Sequence, residues 1–259
     1  MPEPLYTLAN TRPAFQLTWS LSVFWRSSPP APVWLDDLRR ATEPDGVRVL
    51  EHCFPEPAMS QFLVSTQPAV SPHAAVRAVK GRLQYLLRSQ CPKAFQRNYA
   101  LRSVGWVKRE DVENYVHRQT GRHPMADHRV QATFEAYQIC NAHVDLSQSR
   151  QGDHAIYWYN LHLVLVHADR FHDVRPERIA ATRDMILGVS DKHGDLLSRA
   201  GIVADHIHLT LGAPPSQSPA EVALRYMNNL AYSWGMKPVF EFGYYVGTFG
   251  EYDLGAIPR

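Results

Sequence analysis

Apolar and polar residues alternate along several short stretches of this chain, and a period of two predicts β-strands. The clearest stretch is residues 15–25, FQLTWSLSVFW, and residues 156–166 have the same character in the second half. Shorter stretches of this kind cover residues 47–50, 61–65, 99–105, 205–211 and 242–250. Apolar residues three and four apart predict helices over residues 34–41, 73–89, 109–119, 130–140 and 176–193, and from residue 218 onward.

Capping and turn residues indicate where these helices begin and end. Ser71 followed by Pro72 is typical of a helix N-cap with proline in the first turn. Gly121 is expected to end the helix that contains residues 109–119. Beyond it the pattern weakens, and residues 147–153 are polar and turn-like. We therefore expect a connection between two halves of the chain in this region.

The order of elements in the first half recurs in the second half. Ser71-Pro72 corresponds to Ser218-Pro219, 147 positions later, and Ser103-Val104-Gly105 corresponds to Thr248-Phe249-Gly250, 145 positions later. Each half has the order strand, helix, strand, strand, helix, strand. The sequence therefore predicts an α+β protein with two tandem ferredoxin-like (RRM-like) antiparallel-sheet units that form an intramolecular pseudo-dimer. The predicted units cover residues 1–122 and 153–259, and residues 123–152 connect them.

The stretch from Asp205 to Leu211, DHIHLTL, carries the first candidate chemistry. Because side chains alternate between the faces of a strand, His206 and His208 are expected to point the same way. Two imidazoles side by side on a rigid strand can act as a pair of metal ligands, and Asp205 could orient one of them. The alternative is a pair of half-buried strand histidines without a metal, and this stretch alone does not separate the two.

The composition is that of an ordinary globular protein and narrows the function little. The 259 residues are 45% hydrophobic and 20% charged, and a net charge of +2 is too small to predict a nucleic-acid partner by itself. Cys53, Cys91 and Cys140 are odd in number and widely spaced, so neither a disulfide framework nor a zinc knuckle is indicated. No signal-peptide or membrane-spanning pattern is evident, and we expect a reducing, cytoplasmic setting.

The two halves differ in the chemical groups that they keep. Where the second half has His206 and His208, the first half has residues 59–62, Met-Ser-Gln-Phe, and no histidine. The first half has a helix in which Tyr115 and Gln119, four residues apart, share a face. At the same spacing, the equivalent tyrosine of the second half would fall one position beyond the end of the sequence. We therefore expect the first unit to have lost the histidine pair and the second unit to have lost the tyrosine helix.

This layout resembles the single-tyrosine HUH transposases of the insertion sequence 200/605 type and their REP-associated relatives. The His-hydrophobe-His motif of that family is matched by His206-Ile207-His208, and its Tyr-x-x-x-Gln helix is matched by Tyr115 and Gln119. The family's Lys-Gly helix and its strand ending in Ser-Val-Gly are matched by Lys80-Gly81 and by residues 103–105. Such transposases work as homodimers, and in many of them the tyrosine helix of one subunit completes the histidine site of the other.

The resemblance implies a fused tandem pseudo-dimer with one composite active site per chain. Tyr115 would be the nucleophile, and His206, His208 and Gln119 would hold a divalent metal ion, Mg²⁺ or Mn²⁺. The implied activity is that of a nickase and strand transferase that acts on single-stranded or hairpin DNA through a covalent 5′-phosphotyrosine. Fusion of two units removes the need for a homodimer without forbidding one.

Basic residues of the first half are candidate contacts to DNA phosphates, and the alternative for any single one is a solvated helix face, which we favour. The candidates are Lys80, Arg82, Arg88, Arg97 and Arg102. A histidine-rich segment could also suggest a second metal site, although His162 lies in a strand that is interpreted as core. The segment contains His154, His162, His167 and His172.

Two other functions fit parts of the sequence. A 2H-type phosphoesterase needs two facing His-x-Ser/Thr motifs, and His208-Leu209-Thr210 is the single match in the chain. A domesticated transposase could keep the fold and bind DNA without cleaving it. Loss of one site favours that alternative, whereas retention of Tyr115, Gln119 and both strand histidines argues against it.

Overall fold

The computed structural model describes residues 3–251. In the first half the elements are β1 (Arg12–Gln16), β2 (Thr18–Trp25), α1 (Leu35–Thr42), β3 (Val47–Glu56), β4 (Met59–Thr66), α2 (Pro72–Leu87), β5 (Phe95–Val104), α3 (Arg109–His117), α4 (Gln119–Arg122) and α5 (His128–Ala136). They continue with β6 (Ile139–Cys140), β7 (Arg150–Gly152), β8 (Ala155–Trp158), β9 (Asn160–Val166), α6 (Pro176–His193), β10 (Leu196–Ile202), β11 (His206–Gly212), α7 (Pro219–Ser233) and β12 (Gly243–Thr248). No helix within residues 3–251 is long and apolar enough to cross a membrane.

Each half folds into a ferredoxin-like unit, as predicted. In the first half, four strands form an antiparallel sheet in the order β3-β4-β2-β5. In the second half the corresponding order, from the same edge, is β10-β11-β9-β12. One helix follows the first strand and another follows the third, which is the ferredoxin-like arrangement. The α+β class is therefore confirmed. We call the two sheets, with the strands that extend them, the first sheet and the second sheet.

Each sheet is extended by a strand from the other half. β1 pairs in parallel with β12 of the second sheet, and β8 pairs in parallel with β5 of the first sheet. The chain crosses between the sheets at Leu17, before β2, and at Tyr159, before β9. Both residues are buried, and the Tyr159 ring lies 5.2 Å from the ring of Trp19. The two halves are therefore interleaved.

The prediction of single strands over residues 15–25 and 156–166 is wrong, because each range contains two strands that belong to different sheets. The alternation of polar and apolar residues continues through Leu17, and Tyr159 ends a run of apolar and aromatic residues, 156–159, so the pattern reveals neither crossing. The predicted unit boundaries after residue 122 and before residue 153 stay predictions. Strand β1 of the first predicted unit belongs to the second sheet, and strand β8 of the second predicted unit belongs to the first sheet. The expected loss of a tyrosine helix from the second unit concerns residues 252–259, which lie outside the described residues.

Matching hydrogen bonds hold the two crossings together. The backbone N–H of Thr18 donates to the Thr248 hydroxyl at 2.9 Å. The backbone N–H of Asn160 donates to the Ser103 hydroxyl at 3.1 Å. Each bond joins the start of one unit's first strand to the end of the other unit's last strand. The duplicated Ser-Val-Gly and Thr-Phe-Gly runs thus tie the units to each other.

Two glycines allow the backbones of the units to approach closely. The N–H of Gly105 donates to the carbonyl of Gly250 at 3.1 Å. A Cβ on Gly105 would lie 2.6 Å from the Thr248 carbonyl oxygen, and a Cβ on Gly250 would lie 2.7 Å from that of Ser103. Gly250 also has a φ of 139°, a backbone conformation that residues with a Cβ rarely adopt. The interleaving therefore depends on the absence of a side chain at both positions.

The second sheet buries one face under its own helices and turns the other face toward the first half. Ile207, Leu209 and Leu211 lie in the core, which α6 and α7 help to form. His206 and His208 alternate with them and so lie on the opposite face. Helices α3 and α4 of the first half pack against β10 and β11. The topology therefore brings the tyrosine helix of one unit to the histidine strand of the other.

The predicted helix over residues 109–119 is interrupted. Arg118 has φ −94° and ψ 14°, which separates α3 from the short α4. Gly121 lies inside α4, so the expectation that it ends the helix is wrong. The break turns Gln119 into the interface with the second sheet, where it is fully buried. Packing of that side chain decides the helix geometry here more than the local pattern does.

Two further local predictions are wrong. The predicted helix over residues 130–140 ends earlier, at Ala136, because Ile139 and Cys140 pair with β10. Residues 150–152, which were expected to be a turn, form β7 and pair with β8. In the first case pairing with a strand distant in sequence overrides the local preference, whereas in the second case residues 150–152 form a tight hairpin with the next strand.

We predict that Gly105→Ala lowers the free energy of unfolding by about 1–3 kcal/mol, the usual scale for forcing atoms into a packed site. The new Cβ would have to displace the backbone of Thr248. Gly81→Ala is the matched control, because Gly81 lies within α2, nothing lies within 4 Å of an added Cβ, and alanine favours helix. Urea unfolding measures both variants. A Gly105→Ala protein as stable as the wild type would contradict the close approach.

Candidate functional site

His206 and His208 are buried on β11, with only 6% and 5% of their surfaces exposed. Nδ1 of His206 donates to a carboxylate oxygen of Asp205 at 2.6 Å, and Arg170 pairs with the same carboxylate at 3.1 Å. This bond places the proton of His206 on Nδ1 and leaves the lone pair of Nε2 available. The exposed His123 lies on the other side of the ring, with the two ring centroids 5.0 Å apart.

His208 has a partner in His162, a residue of a strand that was interpreted as core. Thr210 lies opposite His162 in the pairing of β11 with β9, so His162 is diagonal to His208 on the same face. Nε2 of His162 and Nδ1 of His208 are 3.0 Å apart. The strand that contains His162 is part of the core, as interpreted, but the His162 side chain lies on the face that meets α3. Its hydrogen bond occupies Nδ1 of His208 and leaves Nε2 free. His167, from the same segment, stacks on Phe171 instead.

Burial keeps these imidazoles neutral. It lowers the pKa of His208 to about 2 and the pKa of His162 to about 4. It also lowers the pKa of His206, against the opposing effect of the Asp205 carboxylate. A neutral imidazole is the form that donates a lone pair to a metal ion. The folded protein therefore presents two imidazoles in the ligand form throughout the neutral pH range.

Tyr115 comes from α3 of the first half and lies edge-on against these imidazoles. Its ring centroid is 5.4 Å from that of His208 and 6.4 Å from that of His162. The guanidinium carbon of Arg122 lies 4.7 Å from the centre of the Tyr115 ring. The tyrosine of one unit and the histidines of the other, which were predicted to be complementary, thus lie together within one chain.

Gln119 is completely buried beside the same strands. Its Nε2 donates to the Tyr115 carbonyl at 3.1 Å, and its Oε1 has no hydrogen-bond partner among the described residues. A Cβ on Gly201 would lie 2.9 Å from Cγ of Gln119, and Gly201 pairs directly with His208. Since paired residues of neighbouring strands share a face, Gln119 lies on the same face as His208. The amide oxygen is therefore a buried acceptor that lacks a donor.

A buried carboxylate fastens α3 to the second sheet. Glu113 is 6% exposed and accepts a hydrogen bond from the Ser198 hydroxyl of β10. Arg109, one turn earlier on α3, pairs with the same carboxylate at 2.5 Å. Loss of either partner would leave a buried charge incompletely paired, which is strongly destabilising. These contacts fix the orientation of the helix that carries Tyr115.

Tyr115 borders a cleft of about 510 Å³. The cleft is lined by Val107, Asp111, Val112, Asn114, Tyr115, Arg118, Arg122 and His162. Arg118 and Arg122 are exposed, and neither forms an ion pair with another residue of the described range. Two free guanidinium groups and one acid leave this cleft positively charged, which suits an anionic substrate. A hollow of about 580 Å³ along α2 contains none of the histidine, tyrosine or glutamine side chains of the site.

The first sheet keeps a polar pair at the equivalent place but no imidazole. Strand pairing puts Gln61 of β4 where β11 has His208, and Ser20 of β2 where β9 has His162. Nε2 of Gln61 donates to the Ser20 hydroxyl at 2.7 Å, and both residues are buried. An amide and a hydroxyl satisfy each other without a metal. The expected absence of a histidine pair from the first unit is thus visible in the strand register.

The five basic residues proposed as DNA contacts do not line the cleft beside Tyr115. Nζ of Lys80 donates to the carbonyls of residues 96, 97 and 98, and burial lowers its pKa. Arg82 forms two bonds of 3.0 Å with Asp45. The guanidinium of Arg88 lies 4.2 Å from the Tyr85 ring, and that of Arg102 lies 5.3 Å from the Trp158 ring, while Arg97 is exposed. Lys80 and Arg82 thus have structural partners, and a role of any of the five in DNA binding stays a prediction.

The donor atoms of the site fit a divalent ion. No three histidine, cysteine or carboxylate side chains between residues 3 and 251 converge as a metal site. The predicted set is different, since it combines two imidazole nitrogens with one amide oxygen. Among residues 3–251, the hydrogen bonds of His206 and His208 are made at Nδ1 and not at Nε2, and the unpaired Oε1 of Gln119 is an oxygen that a cation would satisfy. Imidazole and oxygen donors suit Mn²⁺, and Mg²⁺ less well.

Comparisons with known proteins show no close relative. No protein-family model and no curated protein matches the chain. Among solved structures, one described as a putative transposase from Deinococcus radiodurans is 18% identical, with 38% of this chain and 83% of that chain covered and a TM-score of 0.35. A putative glycine cleavage system transcriptional repressor is 8% identical, with 91% and 98% covered and a TM-score of 0.25. An unknown protein from Galdieria sulphuraria is also 8% identical, with 90% and 97% covered and a TM-score of 0.24. At TM-scores this low, none of these likenesses supports a functional conclusion.

We predict that Gly201→Ala loosens α3 and α4 from the second sheet. The added Cβ would lie 2.8 Å from the Val116 carbonyl and 2.9 Å from Cγ of Gln119. Amide hydrogen exchange over residues 109–122 should become faster by about tenfold or more, which corresponds to a local cost of about 1.4 kcal/mol. Exchange in β9 should change little. Gly188→Ala in α6, where an added Cβ meets nothing within 4 Å, is the control. Unchanged protection of residues 109–122 would contradict the packing described here.

Proposed function

We propose that this protein is a metal-dependent nickase and strand transferase that acts on single-stranded DNA, with Tyr115 as the nucleophile. The observation that supports the proposal most is the contact between the units, with the Tyr115 ring 5.4 Å from the ring of His208. The contact places a phenol of one unit against two neutral imidazoles of the other, those of His208 and His162. The site has the parts that transfer of a phosphoryl group to a tyrosine requires.

In this proposal, Nε2 of His206, Nε2 of His208 and Oε1 of Gln119 hold the divalent ion. Asp205 and His162 orient the two imidazoles, since each is hydrogen-bonded to Nδ1 of its histidine and leaves Nε2 as the nitrogen that would bind the ion. When bound, the ion would draw negative charge from a non-bridging oxygen of the scissile phosphate. The amide of Gln119 is held for this role by its own bond to the Tyr115 carbonyl.

The protein's own groups carry out the transfer. The Tyr115 oxygen forms a bond to phosphorus as the bond from phosphorus to the 3′-oxygen breaks. The phenol loses its proton and the departing 3′-oxygen gains one, so the products are a 5′-phosphotyrosine and a 3′-hydroxyl. Arg122, which lies on the tyrosine ring, places a positive charge beside the phosphate under attack. Because the phosphodiester is replaced by a phosphotyrosine ester, a second 3′-hydroxyl can reverse the step and rejoin the strands.

The proposed substrate is single-stranded or hairpin DNA because the reactive groups lie in a narrow interface. The imidazoles are almost fully buried and the cleft beside Tyr115 is only about 510 Å³ in volume. An unpaired strand can bend so that one phosphate enters this space, whereas a duplex keeps its phosphates on a stiff cylinder. The 2H-type phosphoesterase alternative gains no support, because Thr210, the hydroxyl residue of its single motif, is fully buried.

We predict that purified protein forms a covalent adduct with 3′-fluorescein-labelled DNA hairpins from a random-loop pool when Mn²⁺ is present, because the 5′-phosphotyrosine retains the fragment that carries the 3′ end. Tyr115→Phe should reduce the adduct by about a thousandfold or more, because removal of a nucleophile has effects at least this large. Tyr232→Phe is the matched control, since Tyr232 is 61% exposed on α7. Denaturing electrophoresis detects the adduct, and a chelator should abolish it.

Three results would separate the alternatives. An adduct that persists in Tyr115→Phe would show that another nucleophile acts. A mobility shift in native gels without any adduct would favour the non-cleaving DNA-binding protein. Cleavage of the strand without a covalent intermediate would favour hydrolysis, and with it a different role for Tyr115.

A further inference from the structure

Trp106 is the one tryptophan of this chain whose indole is almost entirely in water. It is 90% exposed, although burial of an indole is strongly favourable. All six tryptophans lie within the described residues. The others are Trp19, Trp25, Trp34 and Trp158, which are buried, and Trp234, which is half-buried. A large aromatic surface that the fold leaves uncovered is available for a partner.

The exposure of Trp106 does not come from a long loop. Trp106 directly follows Gly105, whose backbone is pinned against Thr248 and Gly250 at the contact between the units. Three residues after Gly105, Lys108 is already the N-cap of α3. The indole is therefore held within a short connection that is fixed at both ends.

This connection lies at the edge of the cleft beside Tyr115. Val107, the next residue after Trp106, lines the cleft and is 48% exposed. Consecutive Cα atoms are about 3.8 Å apart, so the indole is attached at the rim. Together, Trp106 and Val107 make an apolar shelf, the Trp106 shelf, next to the proposed reaction centre.

The surroundings of the Trp106 shelf are positively charged. Lys108, Arg118 and Arg122 are exposed, and none forms an ion pair with another residue in the described part of the chain. Asp111 is the one acid in the lining of the cleft. An apolar aromatic face bordered by free cations matches a nucleotide, whose base is flat and apolar on its faces and whose phosphate is an anion.

We propose that the Trp106 shelf stacks one unpaired base of single-stranded DNA, while Arg118 contacts the phosphate next to it. This inference rests on the proposed function, and it names the part of the substrate that the chain grips outside the metal site. Stacking needs an unpaired base, so the shelf also selects single-stranded over duplex DNA at this place. Val107 extends the apolar surface toward Tyr115, which leads the strand from the shelf to the nucleophile.

The test measures binding without chemistry. Wild-type protein, Trp106→Ala and Trp106→Phe are titrated in the presence of a chelator with fluorescein-labelled oligothymidylate and with a fully abasic strand of the same length. Tyr232→Ala removes an aromatic ring of 61% exposure from α7 and is the matched control. Acrylamide quenching of tryptophan fluorescence is measured with and without oligothymidylate. Thermal unfolding confirms that each variant is folded.

We expect Trp106→Ala to weaken binding of oligothymidylate by about tenfold and to leave binding of the abasic strand nearly unchanged, because only a base can stack. Trp106→Phe should stay within about threefold of the wild type, since it keeps an aromatic face. Oligothymidylate should protect the exposed indole from acrylamide. Arg122→Gln should instead weaken binding of both oligothymidylate and the abasic strand, and it should reduce the salt dependence of binding.

The inference fails if Trp106→Ala binds oligothymidylate as tightly as the wild type, or if the loss is as large for the abasic strand. It also fails if oligothymidylate does not change the quenching. These readouts need neither metal nor cleavage, so they are independent of the adduct experiment. If binding depends on the base and on Trp106 but no adduct forms, the stacking proposal is supported and the proposed nickase activity is contradicted. If an adduct forms but Trp106→Ala does not change DNA binding, the nickase activity is supported and the stacking proposal is contradicted.

Discussion

The close contact between the last strands of the two units is the constraint on which the rest of the structure depends. Gly105 and Gly250 bring the backbones together, and the hydroxyls of Ser103 and Thr248 bond to the start of the other unit's first strand. Around these contacts each unit lends a strand to its neighbour's sheet. The halves are thereby fixed to each other more firmly than a flexible linker would allow, and a site that uses groups from both can be rigid.

The two sheets of this near-symmetric frame carry different polar side chains. The same strand positions carry His162 and His208 in the second sheet but Ser20 and Gln61 in the first. In the second sheet the polar pair lies under α3, which is tied down through Glu113 and brings Tyr115 against the imidazoles. Burial lowers the pKa of these imidazoles and so keeps them neutral, which is the form that can bind a cation. One frame can therefore hold one reactive site and one inert polar contact.

Much of this could be predicted from the sequence, because period-two alternation puts His206 and His208 on one face and the duplication sets the topology. Other features depend on information that no local pattern contains. The crossing at Leu17 interrupts no alternation, and the partnership of His162 with His208 follows from the register of β9 against β11. The one sequence signal for this partnership was the position of His162 between Leu161 and Leu163, and that position is equally compatible with a hydrogen-bonded core histidine. The role of Trp106 as an exposed ring likewise needed the three-dimensional structure.

The central claim is that one chain places its own Tyr115 beside the histidines proposed to bind the metal ion, and a paramagnetic ion tests this most directly. A fluorotyrosine can be installed at position 115 and its ¹⁹F resonance followed during titration with Mn²⁺ in dilute protein. With ring centroids only 5.4 Å apart, the structure predicts that the resonance broadens beyond detection as Mn²⁺ binds, and that His208→Ala prevents it. A sharp resonance at saturating Mn²⁺, or broadening that persists in His208→Ala, would contradict the account.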